Sequence, residues 1–318
     1  MSKVLVSEEN LTNIANAIKE KNGETTTYKP NEMAEAIQNI FVGGSTVTKG
    51  IVINKFNEDG YATDVSVVGM TSIPDYYFAT YSSTYTNFLN KYLKNVQLPN
   101  NLTSIGHFAF NSCTNLALTE LPSGITSIGN YAFYKCTNLA LTKLPNGITS
   151  IGKYVFNGCT NLALTELPSG ITSIGEDAFN SCTNLALTKL PNNLTSIGNF
   201  AFQWCRNLAL TELPSGITSI GIRVFQDCIS LIEMFCLGNI TSIENYAFYK
   251  CTNLSIFALP NITMVPTLGS DVFTNTPIAN GTGYIYVPDD LVESFKSATN
   301  WSIYADQIKA ISEMEASA

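Results

Sequence analysis

The sequence predicts an α/β repeat solenoid, built of 23-residue coils with stacked parallel strands and short helical turns, behind a small N-terminal helical segment. Three observations predict it. The words "CTNLALTELPSGITSIG" (113–129), "CTNLALTKLPNGITSIG" (136–152) and "CTNLALTELPSGITSIG" (159–175) recur at a fixed interval. Cys113, Cys136, Cys159, Cys182, Cys205, Cys228 and Cys251 are each 23 residues apart. Phe110 and Ile105 recur with the same step through Phe248 and Ile243.

A period between 20 and 29 residues with regularly placed leucine marks a leucine-rich-repeat solenoid. The unit reads L-P-x-x-[IL]-T-S-I-G-x-x-[AV]-F-x-x-C-x-x-L-x-L-T-[EK]. In the unit from Leu98 to Glu120, the apolar teeth are Leu98, Leu102, Ile105, Phe110, Cys113, Leu116 and Leu118. So few apolar side chains cannot offset the ordering entropy of 23 residues, so stability must come from stacking. "LALTEL" (116–121) is expected to be an inner strand ended by Pro122, which cannot donate to a ladder. Ser123-Gly124 makes a turn, and the β-branched "ITSI" is a second extended piece. "NYAFYKC" (130–136) reads as one helical turn on the outer side.

Glu120, Lys143, Glu166, Lys189 and Glu212 occupy one repeat position with alternating sign. Stacked at about 4.8 Å per step, each would find an opposite neighbour. Duplication of a 46-residue block explains the alternation equally well. The column of Asn115, Asn138, Asn161, Asn184, Asn207 and Asn253 is expected to be buried, with its amides bonding backbone from coil to coil. The Thr126, Thr149 and Thr172 column is structural by the same reasoning. Cys236 stands where other coils carry Leu121, Leu144 or Leu213, so a cysteine here behaves as a small apolar side chain and the thiols are expected free and buried.

The ends depart from the repeat. Residues 1–44 read as a helical hairpin for attachment or oligomerisation. One helix is capped by Ser7 and striped by Leu11, Ile14, Ala15 and Ile18; a second carries Met33, Ala36, Ile37 and Ile40. Residues 45–69 form a β-hairpin cap turning at Asp59-Gly60. The solenoid occupies 70–277. In the closing segment, 278–318, Tyr284–Val287 is expected to be the last strand. Asp289 or Asp290 would cap a helix, and Trp301, Tyr304, Ile308 and Ile311 would cover the open coil.

Composition excludes several function classes. Charged residues are 13% and the net charge is −8, so no basic stripe is available to displace counterions from nucleic acid. No stretch has the length and apolarity of a membrane span, and the first residues lack a secretory leader, so export by the usual route is not expected. The chemistry of an enzyme is missing from the pattern. The single histidine, His107, sits in a variable slot shared with Asn130, Lys153, Glu176, Asn199 and Ile222, which reads as solvent-facing. Asp177 and Asp227 lie at different repeat positions with no evident partner. No metal-ligand spacing, phosphate loop or cofactor motif occurs, so no catalytic residue, cofactor or metal is assigned.

Variation inside the repeat is the remaining signal. Tyr131, Tyr154, Phe200 and Tyr246 occupy the slot before the [AV]-F pair; packing between turns is their leading reading and display for recognition the second. Tyr134, Trp204 and Tyr249 follow the phenylalanine and are read as one slot, equally suited to packing and to partner contact. The face carrying Ala117, Thr119 and the Glu/Lys column looks bland for a tight ligand.

These words resemble BspA-like leucine-rich repeats over about two thirds of the chain, from Met70 to Phe273. "YIYVPDDLVESFKSATNWSIYADQIKAI" is similar to the tail that often follows such repeats in gut bacteria. The resemblance implies a non-enzymatic adhesion or recognition module. "LTNIANAIKEKNG…YKPNEMAEAIQNI" resembles a helical motif at the front of phage and prophage tail-associated proteins of Firmicutes. Together they imply a host cell-surface glycan or protein as partner, attachment to phage tail proteins through residues 1–44, and a virion location. The alternative is a BspA-like surface adhesin or interaction scaffold unlinked to a virion. A homo-oligomer stays open, as does a helical segment that only caps the fold.

Overall fold

The computed structural model describes residues 4–6, 50–57, 62–78 and 89–315. The expected helices of residues 7–40 and the Asp59-Gly60 turn lie outside them.

The repeat words fold as stacked coils in register. Ser104–Ile105, Ser127–Ile128 and their successors are two-residue parallel strands whose serines and isoleucines pair with their own kind, as Ser104 with Ser127 and Ile174 with Ile197. This ladder comes in three segments: 72–73 to 127–128, 150–151 to 196–197, and 219–220 to 267–268. At both junctions an asparagine bridges the coils, with the Asn130 Oδ1 accepting the Lys153 N–H at 2.9 Å and Asn199 Oδ1 the Ile222 N–H at 2.9 Å.

The core runs the length of the stack. Phe78, Phe110, Phe133, Phe156, Phe179, Phe202, Phe225, Phe248 and Phe273 are fully buried. Neighbouring rings lie 4.8–5.8 Å apart and nearly parallel. All eight cysteines are buried and free, as expected. Each thiol from Cys136 to Cys251 in the repeat column donates to a phenylalanine carbonyl of the preceding coil at 3.0 Å, for example Cys159 to Phe133 O. Burial pushes these thiols up and keeps them protonated, so the hydrogen bond persists at neutral pH. Threonine hydroxyls act likewise: Thr126 bonds Thr103 O and Thr195 bonds Thr172 O.

The two sequence-predicted elements of each coil come out differently. "LALTEL" is not a regular strand in most coils. Leu139, Leu141 and Leu144 all point inward, a spacing of two and then three, which breaks the in–out alternation a strand requires. Thr142 and Lys143 are therefore thrust outward as a bulge, and one bond, Ala140 N–H to Leu118 O, joins the coils there. Where Met234 and Cys236 restore the alternation, a true parallel sheet appears: Glu212–Leu213, Glu233–Cys236, Ile256–Ala258, Tyr284–Val287 and Ile308–Ala310.

"NYAFYKC" is not a helical turn either. Alternate amides point different ways: those of Tyr131, Phe133 and Lys135 donate to Lys153, Val155 and Asn157 of the following coil, while those of Ala132, Tyr134 and Cys136 donate back to Gly129, Tyr131 and Phe133. Tyr131 and Lys135 take left-handed backbone (φ 60° and 56°), a conformation costing roughly 1–2 kcal/mol outside glycine. Ladder bonds on both sides hold it in place. The strand wall donates the other way, Gly129 N–H to Ile105 O of the preceding coil, so the amide dipoles of the two walls oppose one another along the axis.

The asparagine column is also corrected. Asn138, Asn161, Asn184, Asn207 and Asn253 are exposed rather than buried. The coil-to-coil role holds for Asn115, whose amide donates to Lys91 O, and Asn253, which donates to Ile229 O.

At the N-terminal end, Gly50–Phe56 and Ala62–Val68 form the expected antiparallel hairpin, joined on one side by an unanticipated strand, Val4–Val6, and on the other by Asn95–Gln97. At the C-terminal end, Trp301, Tyr304 and Ile308 are buried as expected, and Trp301 and Tyr304 pack on Phe273, closing the phenylalanine stack. Tyr284–Val287 is not the last strand, because Ile308–Ala310 adds to it in parallel. Neither aspartate caps the helix Val292–Ser297; the Asp289 carboxylate instead accepts the Ser312 N–H, which lowers its pKa.

Candidate functional site

Stacking sorts the repeat letters by wall. The invariant letters are spent on the core and the ladders, and the variable ones gather on the wall between the S-I-G strand and the cysteine. There Tyr76, Phe108, Tyr131 and Tyr154 form one column of rings at 4.5–4.7 Å, tilted by 7° or less. The inner rings of this stack have both faces covered by neighbours. They offer a partner edges and hydroxyls only, so cohesion is their first role, as the sequence suggested.

The column changes chemistry at Asp177, which is 8% exposed. The Tyr154 hydroxyl donates to its carboxylate, as do the Asn157 and Asn180 amides at 3.3 and 2.7 Å. Burial raises the Asp177 pKa, and these hydrogen bonds oppose the rise. The same partner, after burial, helps push the Tyr154 hydroxyl up to about 12. Asn180 continues the network to Gln203 and Gln203 to Gln226, which donates to Asp227. Asp177 and Asp227 are thus partnered, contrary to the sequence reading. Beyond Asp177, Arg223 lies between Phe200 and Tyr246, its guanidinium carbon 6.0 and 5.0 Å from their ring centres.

The set read as following the phenylalanine divides. Tyr134 and Tyr249 share a position with Asn157, Asn180 and Gln203, but Trp204 stands one residue further on, in the left-handed slot of Lys135, Gly158 and Ser181. Tyr134 is engaged edge-on by Tyr131 and Tyr154, and Lys135 sits 5.1 Å from its centre. Tyr249 meets Tyr246 and Lys250 similarly. Trp204 is 40% exposed and, among the described residues, its ring has no aromatic or cationic contact. Of the seven candidate aromatics, it alone has an indole face free to meet a partner.

His107 is no idle surface residue. Its Nδ1 accepts the Asn130 N–H at 2.9 Å, while Asp75 Oδ1 accepts the His107 N–H at 2.6 Å. The slot is thus a chain of backbone caps through Asp75, His107, Asn130, Asn199 and Asn245, which variation at Lys153 and Ile222 concealed in the sequence.

The face that looked bland carries a groove of about 670 Å³, lined by Asn95, Gln97, Thr119, Glu120, Lys143 and Asn146 among others. The alternating column stands there without direct ion pairs: none of Glu120, Lys143, Glu166, Lys189 and Glu212 reaches another within 4.0 Å. The inter-coil pair that does form is Lys153–Glu176, at 3.1 Å on the variable wall. Among the described residues no group of His, Cys, Asp and Glu could hold a metal ion, and no helix is long and apolar enough to cross a membrane.

The comparisons agree with this architecture. The chain is similar to a leucine-rich repeat protein from Bacteroides ovatus, at 24% identity and a TM-score of 0.52 over 77% of this chain and 59% of that one. It is also similar to a leucine rich cell surface protein from Faecalibacterium prausnitzii, at 26% identity and a TM-score of 0.44 over 78% of this chain and 63% of that one. The chain thus spans about three-fifths of the length of each. The T. pallidum leucine rich repeat protein matches at 24% identity and a TM-score of 0.42, over 79% of this chain and 92% of that one. No curated protein sequence matches the chain significantly. The model of the BspA type leucine rich repeat region, in six copies, matches residues 71–196 and 173–289, and the chain belongs to that family.

Proposed function

We propose that the protein is a non-enzymatic recognition protein that holds a host-surface glycan or protein on the variable wall of its solenoid. In this reading it is a phage or prophage tail-associated receptor-binding component, made in the bacterial cytoplasm and attached to the tail through residues 1–44. One observation carries the recognition role: in a body of near-identical coils, sequence variation is concentrated on one wall, around the exposed Trp204. Membership of the BspA-type family supports the same role. The tail assignment rests on the opening helical words alone. Family membership also favours a second reading, a BspA-like adhesin or interaction scaffold at the bacterial surface.

A glycan array and bacterial-cell binding assay with the full chain test the shared role. Trp204→Ala should abolish binding without lowering the melting temperature, whereas failure of the wild type to bind any cell surface or glycan removes both readings. Immunogold labelling separates them: label on induced tail particles supports the first, and label on the bacterial envelope alone the second.

A further inference from the structure

The alternating column lacks the internal ion pairs its sequence promised, and its geometry gives it a different use. Glu120, Lys143, Glu166 and Lys189 are exposed and Glu212 half-exposed, each carried outward on the bulge that interrupts its coil. Single backbone bonds, Ala140 N–H to Leu118 O and Ala163 N–H to Leu141 O, keep the bulges in step. Gln97 stands one coil before Glu120, through Ala117 N–H to Lys94 O, and Phe235 stands one coil after Glu212 in a parallel register. The column therefore reads Gln, Glu, Lys, Glu, Lys, Glu, Phe.

We propose that this face is a self-association surface, and that its occupant is a second copy of the same chain, antiparallel and offset so that the two-fold axis passes between Lys143 and Glu166. The argument is charge self-complementarity in a two-fold, isologous contact. A two-fold axis through any charge of an alternating column sets like against like: an axis through Glu166 opposes Glu166 to itself, Lys143 to Lys189 and Glu120 to Glu212. An axis midway between two charges sets every charge against its opposite. With the axis between Lys143 and Glu166, Lys143 faces Glu166 of the second copy, Glu120 faces Lys189, and Glu212 faces the neutral amide of Gln97. The other central choice, between Glu166 and Lys189, sets Glu120 against Phe235 and buries a carboxylate on an apolar ring. A uniform column would have no attractive register, so alternation specifies both the partner and the offset. The outward bulges put these charges ahead of the coil surface, where a facing column can reach them.

Sedimentation velocity on the full chain tests this at about 0.1 M and about 1 M salt, between which the screening length falls from about 10 Å to about 3 Å. A wild-type dimer is expected at the lower salt, weakened about tenfold or more at the higher, as the sum of several exposed pairs requires. Lys143→Glu with Lys189→Glu makes the column wholly negative and should leave a monomer. Reversing the sign at all five positions restores alternation and should restore the dimer, which also shows that exposed substitutions leave the fold intact. A wild type that stays monomeric at the lower salt overturns the proposal. So does a wholly negative variant that dimerises as well as the wild type, because the contact would then lie elsewhere, as in residues 1–44.

Discussion

Phe179→Ala is the sharpest probe of the stacked core. The ring is fully buried, 5.6 Å from Phe156 and 5.5 Å from Phe202, and nearly parallel to both. Burial of a phenyl side chain contributes about 1.5–3 kcal/mol. Each aromatic contact adds about 0.5–1.5 kcal/mol, and there are two, one on either side. The sum agrees with the roughly 3–5 kcal/mol usual for phenylalanine truncation in a core that cannot collapse. Collapse is opposed here by the backbone of the same residue: its N–H donates to Ala201 O and its carbonyl accepts the Cys205 thiol, tying the coil to the next one. Urea denaturation followed by circular dichroism gives the global cost. Hydrogen exchange at the Phe179 and Cys205 amides gives the local cost, which matters because a repeat array can open piecewise. Phe179→Leu keeps most of the volume and loses the stacking, so it should cost less than the alanine. A loss below about 1 kcal/mol for Phe179→Ala would refute the idea that the rings form one load-sharing column.

The remaining predictions concern close approach and a buried carboxyl. A Cβ at Gly129 would lie 2.5 Å from His107 N and 2.6 Å from Gly106 C, backbone that cannot yield, so Gly129→Ala should destabilise by about 1–3 kcal/mol. Gly170, where the nearest atom is Ile148 O at 3.8 Å, should accept alanine within about 0.5 kcal/mol; equal costs at the two sites in denaturant titrations would contradict the coil contact. For Asp177, burial raises the folded pKa above the unfolded value, so the native state binds the proton more tightly. Its contribution is then most favourable below the ordinary carboxylate range and declines as pH rises through the raised pKa. Asp177→Asn should therefore melt higher than the wild type at neutral pH, with the gap closing on acidification below about pH 4. A gap that widens on acidification would reverse the sign of the argument.

Much of this protein was legible in its letters. The 23-residue step fixes which side chains stack, so the phenylalanine, isoleucine and cysteine columns follow from counting. The exchange of Cys236 for leucine already described the thiols as core. The bulge was legible too: in L-x-L-T-[EK]-L the inward leucines are two and then three residues apart, and a period-2 strand cannot satisfy that. Placing Trp204 needed only a strict count from Phe202.

Other features have no local signal. Left-handed backbone at Tyr131 and Lys135 defies residue preference, because hydrogen bonds from the neighbouring coils outweigh a cost of roughly 1–2 kcal/mol. His107 and Asn130 look like surface variation until the next coil brings an N–H within 2.9 Å of each. Asp177 and Asn180 look unpartnered until Tyr154 and Gln203 arrive from adjacent coils. The sequence by itself determined the period, the core and the free cysteines, because these depend on which residue types recur. Only the tertiary structure decided the caps, the polar network, the free face of Trp204 and the unpaired charges. Those depend on distances between residues 23 positions apart, and a difference of an ångström or two decides whether a hydrogen bond or an ion pair exists at all.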